Sequence, residues 1–111
     1  MAAGLGLRLL FVCTGNIERS PTAEELFKNE EGLEVKSAGI SPTAPNFLTE
    51  DLVNWADKIF VMEEIHREYI AKKCPWAIHK IVVLGIPDVY FRNDPELKRL
   101  LRERVSPHLR Q

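Results

Sequence analysis

The sequence predicts a doubly wound α/β fold, with a four-stranded parallel sheet and helices on both of its faces. Two observations carry this expectation. Three short runs, "LRLLFV" (7–12), "KIFVM" (58–62) and "KIVVLGI" (80–86), are almost continuously apolar, as strands buried on both faces are. Segments with helical spacing of apolar residues alternate with them, which is the pattern of parallel strands joined by helices. Right-handed crossovers then wind the chain on both sides of the sheet.

The first strand, 7–12, ends in the polar turn "CTGNIERS". Ser20 suits an N-cap and Pro21 a first helical position, so a helix is expected over 21–30 with Ala23, Leu26 and Phe27 facing inward. "LEVKSAG" (33–39) alternates apolar and polar residues and reads as the second strand, stopped by Gly39. The two prolines of "ISPTAPNFL" mark a loop, after which Thr49 caps a helix bearing Leu52, Val53, Trp55 and Ala56. The third strand, 58–62, is followed by "EEIHREYIAKK", a helix that Pro75 ends. The fourth strand spans 80–86, then "PDVYFRND" forms a loop. Asp94-Pro95 opens a last helix with Leu97, Leu100, Leu101 and Val105 on one face and basic residues on the other.

The 111 residues suffice for one domain with a single core, taken as 1–111 with residues 1–6 flexible. A formal net charge of -1 disfavours nucleic-acid and polybasic membrane-surface partners. The apolar runs are too short to span a bilayer. The start "MAAGLGLRLLFVC" lacks a basic region and carries Arg8 inside its apolar run, unlike a signal peptide, so a cytoplasmic protein is expected. Two cysteines, Cys13 and Cys74, are too few for a small disulfide scaffold. His66, His79 and His108 are scattered without metal-ligand spacing and read as surface residues, and no metal or cofactor is expected.

In an open parallel sheet ligands bind at the carboxyl ends of strands, where "CTGNIERS" lies. Five residues separate Cys13 from Arg19, enough for a curl whose backbone N–H groups converge on one anion. The N-terminus of the following helix adds positive potential. Arg19 can grip two anionic oxygens with its planar fork, and the same field favours a thiolate at Cys13. Ser20 could donate its hydroxyl to that sulfur. These residues suit nucleophilic attack on a phosphate monoester through a phosphocysteine. The alternative for Cys13 is a small buried hydrophobe at a strand end. Expulsion of the leaving group needs a carboxylic acid, and the late loop offers Asp88 and Asp94. Asp94 precedes a proline at a helix start and has the pattern of an N-cap; Asp88 can also serve as a turn aspartate.

"FVCTGNIERSPTAEELF" resembles the low-molecular-weight protein tyrosine phosphatases, whose signature is V-C-x-G-N-x-x-R-S-P. "SAGI" (37–40), "KIFVM" followed by an acidic residue, and "IPDVY" resemble that family's later segments, the last being its D-P-Y acid loop. The resemblance implies a phosphate-binding loop after the first strand. Cys13 would be the nucleophile, Arg19 the phosphate clamp and Asp88 the general acid and base. Thr14, Gly15, Asn16, Ile17 and Glu18 would form the loop that holds the phosphate through its backbone amides. Asn16 would fix the curl and Ser20 stabilise the thiolate. Tyr90, through the D-x-Y match, and Phe47 opposite it would wall the substrate cleft. The implied substrate is a phosphotyrosine protein or peptide, or a small phosphomonoester, and inorganic phosphate is the product. Val89 replaces the usual proline of D-P-Y, Glu18 stands where some members carry a second loop cysteine, and the middle of the chain is short. Two other functions fit the same loop: a thiol-dependent arsenate reductase, which would enlist Cys74 to form a disulfide, and a non-catalytic phosphate-binding module.

Overall fold

The computed structural model describes residues 6–109. Strands β1 (Leu7–Cys13), β2 (Leu33–Gly39), β3 (Lys58–Val61) and β4 (Ile81–Val83) form one sheet in the order β2-β1-β3-β4. Every neighbouring pair is parallel, with Cys13 beside Gly39 and Val12 beside Val61. Helices α1 (Arg19–Phe27), α2 (Glu50–Trp55), α3 (Glu64–Lys73) and α4 (Pro95–Val105) connect and flank the strands. The chain winds from β1 to β2 on one side, then crosses to β3 on the other. The carboxyl ends of β1 and β3 thus lie at the point where the winding reverses, the expected place for a ligand.

Strand alternation divides the core into two layers. Leu9, Phe11, Cys13, Phe60 and Met62 face Ala23 and Phe27 of α1 and Leu97, Leu100, Leu101 and Val105 of α4. Phe11 stacks on both Phe27 and Phe60, with ring centroids 5.8 and 5.4 Å away. Leu10, Val12, Ile59 and Val61 face the other way, onto Val53 of α2, Ile70 of α3 and Ala77. Both faces are covered, as the runs of apolar residues predict.

Several boundaries differ from the sequence expectation. The last strand is Ile81–Val83 rather than 80–86, because 75–80 forms a 3₁₀ helix opened by Pro75. Gly85, at φ +71, breaks the regular ladder, although Leu84 and Ile86 still donate to the carbonyls of Val61 and Met62. Arg104 of α4 donates to the carbonyls of Leu84 and Gly85 at this break, so part of the basic face of α4 is engaged rather than solvated. Helix α1 begins at Arg19, and Ser20 is not its N-cap: Glu18 holds that position without a side-chain cap bond, and the Ser20 hydroxyl is engaged elsewhere. The expectation of a flexible 1–6 falls, Gly6 apart, outside the described residues.

His66 corrects another expectation. It is fully buried at the start of α3, where its Nδ1 accepts the Glu63 backbone N–H at 2.9 Å. Burial, reinforced by the Arg19 guanidinium, pushes its pKa down to about 4, against the opposing pull of Glu63 and Asp88.

The last residue of β2 is a contact point between the sheet and the loop after β1. A Cβ on Gly39 would sit 2.7 Å from the Thr14 carbonyl oxygen, 2.8 Å from Ala44 Cβ and 2.9 Å from the Asn16 nitrogen. Two of those atoms are backbone and cannot swing away. Gly39→Ala is expected to cost about 1–3 kcal/mol, the usual range for forced overpacking. Its urea midpoint should fall, and amide chemical shifts should move at 14–16 more than elsewhere. A second prediction concerns acid. His66 binds its proton in the unfolded chain near pH 6.5 but in the native chain only near 4. The unfolded state therefore holds more protons between those values, and stability falls as the pH is lowered through that window. The loss reaches about 3 kcal/mol at 1.36 kcal/mol per unit. In urea titrations from pH 7 to 4, wild type should lose that much more than His66→Gln; a constant difference between the two would show that native His66 protonates freely.

Candidate active site

The loop between β1 and α1 is held in its curl by side chains rather than by regular backbone ladders. Asn16 sits at φ 55, in the left-handed region that asparagine tolerates better than most residues. Its Nδ2 donates to Ser20 Oγ at 3.0 Å and Ser37 Oγ at 3.1 Å. Its Oδ1 accepts the Asn46 N–H at 3.1 Å. Ser37 passes its own proton to Glu24 Oε1 at 2.6 Å. The side chain of one buried asparagine thereby ties the loop to α1, β2 and the segment that follows β2.

Cys13 ends β1 and is buried. Its Sγ lies 3.0 Å from Ser20 Oγ and accepts the Asn16 N–H at 3.2 Å. Because Ser20 Oγ already accepts from Asn16, its single proton is left for the sulfur or for the Ala38 carbonyl, 3.3 Å away. The site favours a sulfur that accepts hydrogen bonds.

Arg19, in the first turn of α1, has a side chain only 2% exposed. Its Nη1 donates to Glu63 Oε1 and to the Ile86 carbonyl, both at 2.8 Å. These bonds fix the fork at one nitrogen. Nε lies 3.8 Å from Asp88 Oδ1, and Nη2 has no protein partner among the described residues. One nitrogen of the guanidinium is therefore anchored, while the rest of it is left without a close hydrogen bond among the described residues.

A cavity of about 340 Å³ opens here, lined by Cys13, Thr14, Gly15, Ile17, Glu18, Arg19 and Asp88. Every lining residue was named from the sequence. Asn16 and Ser20 lie behind the loop as its supports. Asp88 is exposed at the cavity mouth, whereas the Asp94 carboxylate accepts the Glu96 N–H at 2.8 Å and caps α4. Neither proposed cleft wall reaches the cavity. Tyr90 packs against the core layer of α1 and α4, and Phe47 bridges beside Gly39. The loop that bears Asp88 instead exposes Val89 and Phe91. Cys74 lies in the opposite core layer from Cys13, so the two thiols are separated by the sheet. Burial raises the pKa of the Cys74 thiol, with a smaller contribution from Glu50. Among the described residues no group of three His, Cys, Asp or Glu is placed to hold a metal ion.

Two residues escaped the sequence reading as parts of the site. Glu63 anchors Arg19, and His66 reaches Thr14 Oγ1 with Nε2 at 2.9 Å. The acidic residue after "KIFVM" was a visible signal for the first. No local signal marked the second.

Comparisons with known proteins identify relatives of this chain. The profile of a family described as low molecular weight phosphotyrosine protein phosphatase matches residues 8–54. A protein-arginine-phosphatase of Bacillus subtilis is 31% identical, over 86% of this chain and 92% of that protein. A low molecular weight protein-tyrosine-phosphatase of Acinetobacter johnsonii is 34% identical, over 74% of this chain and 79% of the relative. The structure of Vibrio vulnificus Wzb in complex with benzylphosphonate superposes with a TM-score of 0.76 at 26% identity, covering 93% and 97% of the two chains. With a matched sequence that spans nearly a whole relative and the same architecture around the same loop, this chain belongs to the low molecular weight phosphotyrosine protein phosphatase family.

Proposed function

We propose that this chain hydrolyses phosphorylated proteins or peptides, phosphotyrosine first among them, through a phosphocysteine formed on Cys13. The observation that carries the reading is the convergence on one cavity of a hydrogen-bonded sulfur, the free edge of Arg19 and the Asp88 carboxyl. A phosphoryl group seated over the loop would meet backbone N–H groups from below and the Nε/Nη2 edge of Arg19 from the side. Cys13 Sγ attacks phosphorus, an S–P bond forms and the P–O bond to the leaving group breaks. The Asp88 carboxyl gives its proton to the departing oxygen. Water then attacks phosphorus and passes a proton to the Asp88 carboxylate. The S–P bond breaks, and thiolate and inorganic phosphate remain.

Phosphotyrosine is favoured by Ile17. It lines the cavity yet is 61% exposed, an apolar rim on which an aromatic ring can lie. Glu18 favours a second substrate. The residue lines the same cavity, and its carboxylate would pair with the guanidinium of phosphoarginine, where a P–N bond breaks in place of P–O. The named relatives include enzymes of both kinds.

Turnover of p-nitrophenyl phosphate should survive a chelator and vanish in Cys13→Ser. Asp88→Asn should slow poor leaving groups by roughly 10²–10⁴-fold, the usual worth of a general acid. Asp94→Ala should leave turnover intact while lowering stability by about 0.5–2 kcal/mol through loss of the cap. If Asp94→Ala loses activity and Asp88→Asn keeps it, the acid is misassigned. On matched peptides, kcat/KM for phosphotyrosine should exceed that for phosphoarginine, and Ile17→Thr should narrow the gap. The reverse order in wild type would give precedence to the Glu18 reading.

A further inference from the structure

His66 is a buried titratable group that the reaction above does not use. Its two ring nitrogens have fixed neighbours. Nδ1 faces a backbone N–H, that of Glu63, at 2.9 Å. A backbone amide only donates, so Nδ1 must accept and carries no proton. The imidazole therefore holds its proton on Nε2. That nitrogen lies 2.9 Å from Thr14 Oγ1, which must be the acceptor of this bond. An imidazolium would set a second N–H against the Glu63 amide, and burial together with Arg19 already disfavours that charge.

The consequence falls on Thr14. Its hydroxyl oxygen accepts from His66, and its one proton has no acceptor among the described residues. Thr14 follows Cys13 and lines the cavity. Resting on the phosphatase reading, we propose that His66 is a positioning residue: by donating from Nε2 to Thr14 it leaves the threonine hydroxyl as a donor to the anion in the cavity. Thr14 then supplies one side-chain hydrogen bond in addition to the loop amides and Arg19. The first turn of α3 serves the loop twice, since Glu63 anchors Arg19 and His66 orients Thr14. No sequence-local feature links Thr14 to His66; they are 52 residues apart and meet only because β1 and β3 are neighbours.

Calorimetric titration with inorganic phosphate at pH 7 tests this without requiring turnover. Thr14→Val, which keeps the shape but removes the hydroxyl, should weaken phosphate binding by about tenfold, the low end for a hydrogen bond to a charged group. Thr14→Ser should restore it. His66→Gln should weaken binding several-fold in the wild-type background and have no further effect on binding in the Thr14→Val background. ¹⁵N chemical shifts of the imidazole should report a proton on Nε2. Unchanged affinity in Thr14→Val, an equal His66→Gln effect in both backgrounds, or a proton on Nδ1 would overturn the proposal. Should His66→Gln fail to fold, the Thr14 pair and the imidazole shifts decide it. Wild type that binds phosphate with this pattern but does not turn over p-nitrophenyl phosphate would sink the hydrolytic reading and leave this assignment standing.

Discussion

The buried guanidinium of Arg19 is the constraint around which the carboxyl end of the sheet is built. A cation withdrawn from water costs several kcal/mol unless its donors are paired. Arg19 satisfies this with a carboxylate from the residue after Met62 and a carbonyl from the extension of β4. Those partners come from two different strand ends, so the side chain of one helix ties β3 and β4 to the loop after β1. The pairing is also asymmetric: Nη1 is fully used while Nη2 is left without a protein partner among the described residues. A guanidinium paired on every nitrogen would be a structural strut, whereas a free edge suits this one to the proposed binding of an anion.

Most of the architecture was legible because it is written in local patterns. The four strands, their parallel arrangement and the helices between them follow from apolar runs and helical spacing. The lining residues of the cavity were legible because they lie in one contiguous loop plus Asp88. The errors share a physical cause, which is competition from distant partners. Ser20-Pro21 has the form of an N-cap, but Cys13, Asn16 and Ala38 surround the Ser20 hydroxyl, and the helix begins two residues earlier than expected, at Arg19. His66 lies on a polar helix and reads as surface. Its burial depends on Thr14 and on Arg19, both far away in sequence. Tyr90 and Phe91 are adjacent and similar in type, and which one faces the core depends on how their loop is fastened. That fastening is the Asn93 N–H to Thr22 Oγ1 bond, with Asn93 at φ 65. None of these can be read from spacing.

The loop is held in its curl by the protein's own side chains. Asn16 stays in its left-handed conformation because three groups on other elements hold its side chain, and Gly39 lets the loop lie against β2 at backbone distance. These hydrogen bonds between protein groups maintain the curl. A phosphoryl group seated there would meet a loop already fixed in shape, and little reorganisation would oppose the proposed reaction.

That preorganisation also locates specificity. A rigid cradle treats every phosphoryl group alike, because the donors read charge and tetrahedral shape and nothing beyond the bridging atom. Discrimination must therefore come from the rim, where this chain places one apolar and two acidic side chains: Ile17, Glu18 and Asp88. The expected aromatic walls do not line that cavity, since Tyr90 packs in part against the core and Phe47 lies beside Gly39. A flat leaving group would rest on Ile17 alone. A cationic one would find two carboxylates, but Asp88 is already 3.8 Å from Arg19 and, in the proposed mechanism, transfers the proton. Glu18 is thus the rim carboxylate with no duty at the reacting atoms. On the proposed reading, the balance between an aryl and a guanidino substrate turns on two adjacent residues of one loop: the apolar surface of Ile17 against the charge of Glu18.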